Sequence, residues 1–259
     1  MRNQTMDGFI KFLGTGGARF VVSKQLRSTA GIWLNYKGTN LYIDPGPGAI
    51  VRIRSSKRKL EPEKLDGIIL THKHLDHAND VNVLIEAMTE GGFRKRGVLI
   101  CPRDAIEGEA VVFSNFTGKL ERIEIMGEGK NYKVKDVTFS TPVKHIHPVE
   151  TYGLLFDLGI IVSMISDTRY FDELSTYYAS DVMIVNVLRS KPIGKDDEID
   201  HLSLPDFVNL VKSVKPKVAI MTHFGMSLIR EKPHIVAERI KEETGVEVVA
   251  AYDGMEFPF

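Results

Sequence analysis

An α/β fold is predicted by three features of the 259-residue sequence. Short apolar runs rich in β-branched residues alternate with segments of helical periodicity. The alternation recurs with a similar rhythm in both halves of the chain. Several of the apolar runs end in a residue with a ligating side chain, as in ILTH, MISD and IMTH.

Taken in order, FIKFL at 9–13 is a short strand ending in the loop GTGG, and IWLNY and LYID flank the turn KGTN as a hairpin. DGIILTH at 66–72 is a buried strand. In NDVNVLIEAMTE at 79–90, Val81, Leu84, Ile85 and Met88 share one helical face, and Gly91-Gly92 closes the helix. GVLICP is a strand, and KLERIEIM, YKVKDVTFSTPV, YGLLFDL, IIVSMIS and DVMIVNV read as further strands between 119 and 187. PDFVNLVKSV places Pro205 near a helix N-terminus, KVAIMTH is a strand, and residues 228–243 read as one more helix before VEVVA. There is no repeat, low-complexity segment or Pro/Ser-rich linker. Residues 1–259 are therefore expected to form a single domain around one large core.

The bulk chemistry narrows the function classes. A hydrophobic fraction of 43% and a charged fraction of 26% are ordinary for a soluble globular protein. No apolar run approaches the roughly 18 residues of a membrane span, and the short apolar stretch near the N-terminus is too brief for a signal-peptide core. The single cysteine, Cys101, rules out an intrachain disulfide framework and fits a reducing compartment, so a cytoplasmic location is expected. The 34 basic and 34 acidic residues cancel, which argues against a large nucleic-acid footprint. RIRSSKRK at 52–59 is the local exception. It reads first as a solvated helix face or loop, and second as an RNA- or phosphate-facing patch.

The chemistry concentrates in ILTHKHLDHAND at 69–80, where His72, His74, Asp76 and His77 fall within six positions of a chain with eight histidines. Three imidazoles and a carboxylate buried together are unsatisfied without a partner. In an extended segment His72 and His74 point the same way, and Asp76 and His77, beyond a turn, aim at a second point. Neutral imidazole and carboxylate suit Zn²⁺, and also Mn²⁺ or Fe²⁺. Four ligands do not complete two sites. The further candidates are His145, His147, Asp167, His201 and His223, whereas His234 in EKPHIVAERI reads as an exposed helix residue. His145 and His147 share a face by their two-residue spacing, so parity does not choose between them. Asp44, at the end of LYID, reads either as an acceptor orienting a ligand imidazole or as a turn-forming residue before Pro45. Arg19, Lys24 and Arg27 read either as phosphate contacts or as solvent-facing charges.

THKHLDH, a later histidine, the aspartate of SDT and the histidine of THFG, preceded by LYIDPGPG, resemble the metallo-β-lactamase superfamily over nearly the whole chain. The resemblance implies an αβ/βα four-layer sandwich, two mixed β-sheets flanked by helices, with a two-metal site at the sheet edge. It implies His72, His74 and His147 at one metal, Asp76, His77 and His223 at the other, and Asp167 bridging them. HPVETYG is similar to the family segment carrying the third histidine, which favours His147 and leaves His145 a supporting role. Two divalent ions per chain are implied, Zn²⁺ first, with Mn²⁺ or Fe²⁺ also suited.

Two divalent ions, less two aspartates and a bridging hydroxide, leave one formal positive charge, which complements a singly charged phosphodiester. The expected reaction is hydrolysis of a small or cyclic, nucleotide-like phosphodiester by metal-bound hydroxide, with Asp76 and Asp167 in the catalytic centre. His201-Leu202-Ser203 resembles the non-ligand histidine of the phosphodiesterase branch, which implies a general acid or a phosphate contact. The same residues also read as a helix-terminal histidine beside a Ser203 cap. Ribonuclease Z shares HxHxDH, but its tRNA-grasping arm lies between the third histidine and the bridging aspartate. Here that interval is 20 residues, filled by YGLLFDLG and IIVSMIS, so an RNA substrate is not favoured. A thioester hydrolase and a non-hydrolytic, metal-bound binding protein compete with the phosphodiesterase reading. A homodimer is expected only by analogy with relatives.

Overall fold

The computed structural model describes residues 7–194 and 196–259. Fourteen strands build two sheets among the described residues. In the first half of the chain they are β1 (Gly8–Phe12), β2 (Ile32–Tyr36), β3 (Thr39–Ile43), β4 (Gly67–Ile69), β5 (Val98–Cys101) and β6 (Arg122–Ile125). The second half adds β7 (Lys130–Val134), β8 (Val137–Thr141), β9 (Leu154–Asp157), β10 (Ile161–Ile165), β11 (Val182–Asn186), β12 (Val218–Thr222), β13 (Glu247–Ala250) and β14 (Glu256–Pro258). The sheet orders are β14-β1-β2-β3-β4-β5-β6 and β13-β12-β11-β10-β9-β8-β7. Each sheet is mixed. β3 to β6 run parallel, as do β10 to β13, and the remaining neighbours pair antiparallel.

The two-residue side-chain period turns the strands towards three cores, one between the sheets and one outside each sheet, in place of the single core expected. On β2, Ile32, Leu34 and Tyr36 face the core between the sheets, while Trp33 faces outward. On β11, Val182 and Ile184 join the same central core and Met183 and Val185 point the other way. Helices cover both outer faces. Ala49 and Ile53 of helix Ala49–Arg54 pack on the first sheet with Val81, Leu84, Ile85 and Met88 of helix Val81–Met88. Phe207, Leu210 and Val211 of helix Leu204–Val214 pack on the second sheet with Val236, Ala237 and Ile240 of helix Pro233–Thr244. The layers are therefore helix, sheet, sheet, helix, as expected.

Local departures have local causes. The helix expected over 228–243 is two, Met226–Arg230 and Pro233–Thr244. Pro233 lacks the amide that a continuous helix would use, and Lys232 before it adopts φ 59°. YKVKDVTFSTPV folds back on itself at Lys135, φ 49°, to give β7 and β8. The expected hairpin closes with two left-handed residues, Lys37 (φ 48°) and Gly38 (φ 83°), whose twist matches paired strands. β4 stops at Ile69, so the residues carrying His72 and His74 lie beyond the ladder. The basic run is charge-paired: Arg52 with Asp253 at 3.7 Å, Arg54 with Glu63, Arg58 with Glu256 at 2.8 Å, and Lys59 with Glu61 at 3.9 Å. These pairs lie on an exposed surface, where each is worth little individually. No described helix is long and apolar enough to cross a membrane.

What this topology does for a site is bring strand ends together. The loops after β4 in one sheet and β10 in the other meet, because Thr71 Oγ1 lies 2.8 Å from Ser166 Oγ. Gly16, after β1, bridges Phe224, after β12.

Candidate metal centre

Seven expected ligands and His201 gather at this meeting of strand ends. His72, His74, His147 and Asp167 offer atoms that all lie within 4.8 Å of one another, and so do Asp76, His77 and His223. Within the first group His147 Nε2 is 3.1 Å from His74 Nδ1, and His72 Nε2 is 3.6 Å from Asp167 Oδ2. Within the second, His77 Nε2 is 3.0 Å from His223 Nε2, and Asp76 Oδ2 is 3.4 Å from His223 Nε2. Asp167 Oδ2 is also 3.4 Å from His77 Nε2, so one carboxylate oxygen adjoins both groups.

Most of these side chains are aimed by a neighbour outside the cluster. Asp167 follows β10, and Asn186 at the end of β11 donates to its Oδ1 at 2.8 Å, leaving Oδ2 to the imidazoles. Asp76 Oδ2 accepts the Ala18 backbone amide at 3.0 Å. His147 Nδ1 donates to the Asp200 carbonyl at 2.8 Å, which turns Nε2 inward. Asp44 accepts from His77 Nδ1 at 2.9 Å. His223 sits one residue beyond β12 at φ 60°, a left-handed backbone that is uncommon for a side-chain-bearing residue. Its ring occupies space available only because residue 17 is glycine. A Cβ on Gly17 would stand 2.2 Å from the ring. Gly17→Ala is accordingly expected to displace His223 and weaken zinc binding by about 10–100-fold at one of two sites. Zinc titration checks this, with the far-UV spectrum unchanged.

His145 lies apart from these groups. It is buried, its Nδ1 donates to the Asp167 carbonyl at 3.2 Å, and its Nε2 accepts from the Tyr178 hydroxyl at 2.8 Å. Both nitrogens are engaged away from the cluster, and it is His147 that lies with His72, His74 and Asp167. His234 is exposed. Arg27 donates to Thr15 Oγ1 at 2.9 Å and to the Ala251 carbonyl at 3.0 Å, a brace for its loop, whereas Arg19 and Lys24 are exposed.

His201 stands 3.2 Å from Asp167 Oδ2, with its ring stacked on His223 at 5.9 Å and edge-on to His147 at 5.2 Å. It also forms a three-donor group with Asp167 and His223. The helix cap belongs to its neighbour. Ser203 forms a capping box with Asp206 at the start of helix Leu204–Val214.

The electrostatics sort the histidines. Burial holds His72 well below its ordinary range, lowers His74, and brings His145 and His147 down to about 4. These are neutral lone-pair donors, the form that binds a cation. For His77 and His201, burial is outweighed by the facing carboxylates, chiefly Asp167, and both are raised. Asp76 and Asp167 are lowered despite burial, Asp76 by His77 and His223, Asp167 by His223 and His201.

A divalent cation fits this donor set. His72 Nε2 is buried with no hydrogen-bond partner, which costs about 1–3 kcal/mol if left so. The paired imidazole nitrogens at 3.0 and 3.1 Å approximate the spacing of about 3.3 Å that tetrahedral Zn–N bonds of about 2.0–2.1 Å impose. Asn186, Thr71, Ser166 and the Ala18 amide were not legible as site residues. The first three had a signal, a polar residue closing an apolar strand run.

Comparison with known proteins places this geometry. A model described as beta-lactamase superfamily domain matches residues 39–224. An uncharacterized protein of Methanocaldococcus jannaschii is 33% identical over 258 positions, covering 95% of this chain and 93% of its own. Ribonuclease Z of Borreliella burgdorferi is 24% identical and covers 95% of each chain, but the alignment needs 309 positions. The metallo-beta-lactamase fold protein YhfI of Bacillus subtilis superposes with TM-score 0.79 at 20% identity, covering 97% of this chain and 99% of its own. A diphosphatase of the PhnP family gives TM-score 0.72 at 21% identity, covering 97% and 98%.

Proposed function

Because the chain belongs to the β-lactamase superfamily and has the metallo-β-lactamase fold, we propose that it is a two-metal hydrolase of small or cyclic phosphodiesters. One observation carries this reading. Asp167 Oδ2 adjoins His72 Nε2 at 3.6 Å and His77 Nε2 at 3.4 Å, as suits a carboxylate shared by two cations. His72, His74 and His147 would hold one ion, Asp76, His77 and His223 the other, with Zn²⁺ first and Mn²⁺ or Fe²⁺ also suited to the donors. Bound there, such a pair supplies an activated water and Lewis-acid stabilisation of a phosphoryl group.

The chain's own residues do the rest. Asn186 keeps Asp167 Oδ2 turned to the imidazoles. The Asp200 carbonyl and Asp44 fix the rings of His147 and His77. His201 holds a proton at Nε2 beside the cluster and delivers it to the departing alkoxide.

A small substrate is supported by the short step from His147 to Asp167, with 19 intervening residues of which 154–165 form the paired β9–β10 hairpin. The ribonuclease Z relative needs 309 aligned positions against the 259 residues here, so at least 309 − 259 = 50 positions have no counterpart in this chain. The diphosphatase of similar fold covers almost the same length.

The test is turnover of bis-p-nitrophenyl phosphate by the zinc- or manganese-loaded protein. Cyclic nucleotides, cyclic ribose phosphates, dinucleotides, precursor tRNA and a thioester run in parallel. Small diesters are expected to be the best substrates. Faster cleavage of precursor tRNA would restore the RNA endonuclease reading, and preference for the thioester would replace phosphodiester chemistry. Two bound ions without turnover of anything would make the protein a non-hydrolytic binder.

A further inference from the structure

Behind the ligands lies a buried hydrogen-bond network whose protons have only one consistent arrangement. Asp44, one residue beyond β3, is a carboxylate and carries acceptors only. Its Oδ1 accepts the Thr71 backbone amide at 2.7 Å. Its Oδ2 lies 2.7 Å from Thr71 Oγ1 and 2.9 Å from His77 Nδ1. Thr71 Oγ1 has one proton, and against a carboxylate oxygen it must donate it. Its lone pairs are then left to accept from His72 Nδ1 at 3.0 Å and Ser166 Oγ at 2.8 Å. It follows that His72 carries its proton on Nδ1 and its lone pair on Nε2, the buried nitrogen with no hydrogen-bond partner. His77 Nδ1 likewise carries a proton, because it faces a carboxylate oxygen, and this turns Nε2 towards His223.

We infer that Thr71 is a positioning residue that transmits the orienting effect of Asp44 to His72, so that one carboxylate sets the metal-facing nitrogen of a histidine at each of the two ion sites. Asp44 acts on His77 directly and on His72 only through the Thr71 hydroxyl. The two branches are therefore separable. Thr71→Val removes the hydroxyl at nearly constant volume but leaves the Thr71 backbone amide and His77 Nδ1 still bonded to Asp44. Asp44→Asn disturbs both branches. Residues 44, 71 and 166 come from three strand ends in two sheets, so the network also locks the sheets together where the ligands emerge.

This inference rests on the reading of the cluster as a two-metal site, and the experiment distinguishes their failures. Zinc titration of the wild-type chain is expected to give two equivalents, and fewer would overturn the two-metal reading itself. Given two, Thr71→Val is expected to weaken one equivalent by about 10–100-fold and spare the other, with Thr71→Ser keeping both at wild-type strength. Asp44→Asn is expected to weaken both. Equal effects of Thr71→Val on the two sites, or none on either, would overturn the relay. Should Thr71→Val fail to fold, the imidazole ¹⁵N spectrum of the metal-free wild-type chain decides. A neutral His72 protonated on Nδ1 supports the relay, and protonation on Nε2 defeats it.

Discussion

Asp167→Ala is expected to strip both ions from the protein and to lower turnover of bis-p-nitrophenyl phosphate by about 10²–10⁴-fold. Asp167 is buried, and its two oxygens divide their duties. One accepts from Asn186 and the other adjoins His72, His77 and His201 at 3.6, 3.4 and 3.2 Å. Losing the ions that Asp167 would help hold forfeits several kcal/mol, about 3–5, of charge stabilisation in the transition state. At tenfold per about 1.4 kcal/mol, that gives the range stated. Elemental analysis of the purified variant and its kcat/KM are the two readouts. A variant that kept both ions and near-native turnover would remove Asp167 from the centre of the site.

His201→Ala is expected to behave in the opposite way with respect to metal, keeping two ions per chain while losing rate. A general acid contributes about 10²–10⁴-fold, but only where the leaving group needs a proton. The loss should therefore be large for diesters that expel an alkoxide, such as cyclic ribose phosphates. It should be small for bis-p-nitrophenyl phosphate, whose nitrophenolate leaves unaided. The same contrast separates proton donation from a simple phosphate contact, which would weaken both substrates alike. Because His201 also shares a three-donor group with Asp167 and His223, metal content must be read in parallel. Loss of one ion in this variant would reassign His201 as a ligand.

How far the sequence spoke for itself varied with the range of the interaction. HKHLDH was legible because its candidate ligands fall within six positions, and Asp167 and His223 because each closes an apolar run. His145 and His147 were not separable by strand parity. The structure gives the physical reason: residues 142–153 lie outside the strands, so a two-residue period does not govern them. The choice depends on Tyr178, a partner 33 residues away that occupies His145. Asp44 had two readings of equal weight, and both describe it. It turns the chain before Pro45 at φ 53° and accepts from Thr71 and His77. Thr71 and Ser166 each looked like ordinary strand-end residues. Their meaning lies in a contact between two sheets, which no local pattern encodes.

The placement of every expected ligand beyond a strand end, rather than within a strand, bears on how such a protein changes over generations. Strand interiors such as Ile68, Ile184 and Ile220 are committed to packing, while the residues that follow the strands carry the chemistry. The two sets of positions are covalently adjacent but answer to different constraints. Selection for a new substrate can therefore work on the segments around the rim, among them residues 13–31 and 196–203, without reopening the problem of folding. The fold acts as a fixed chassis, and diversity is to be sought in the segments bolted to one edge of it.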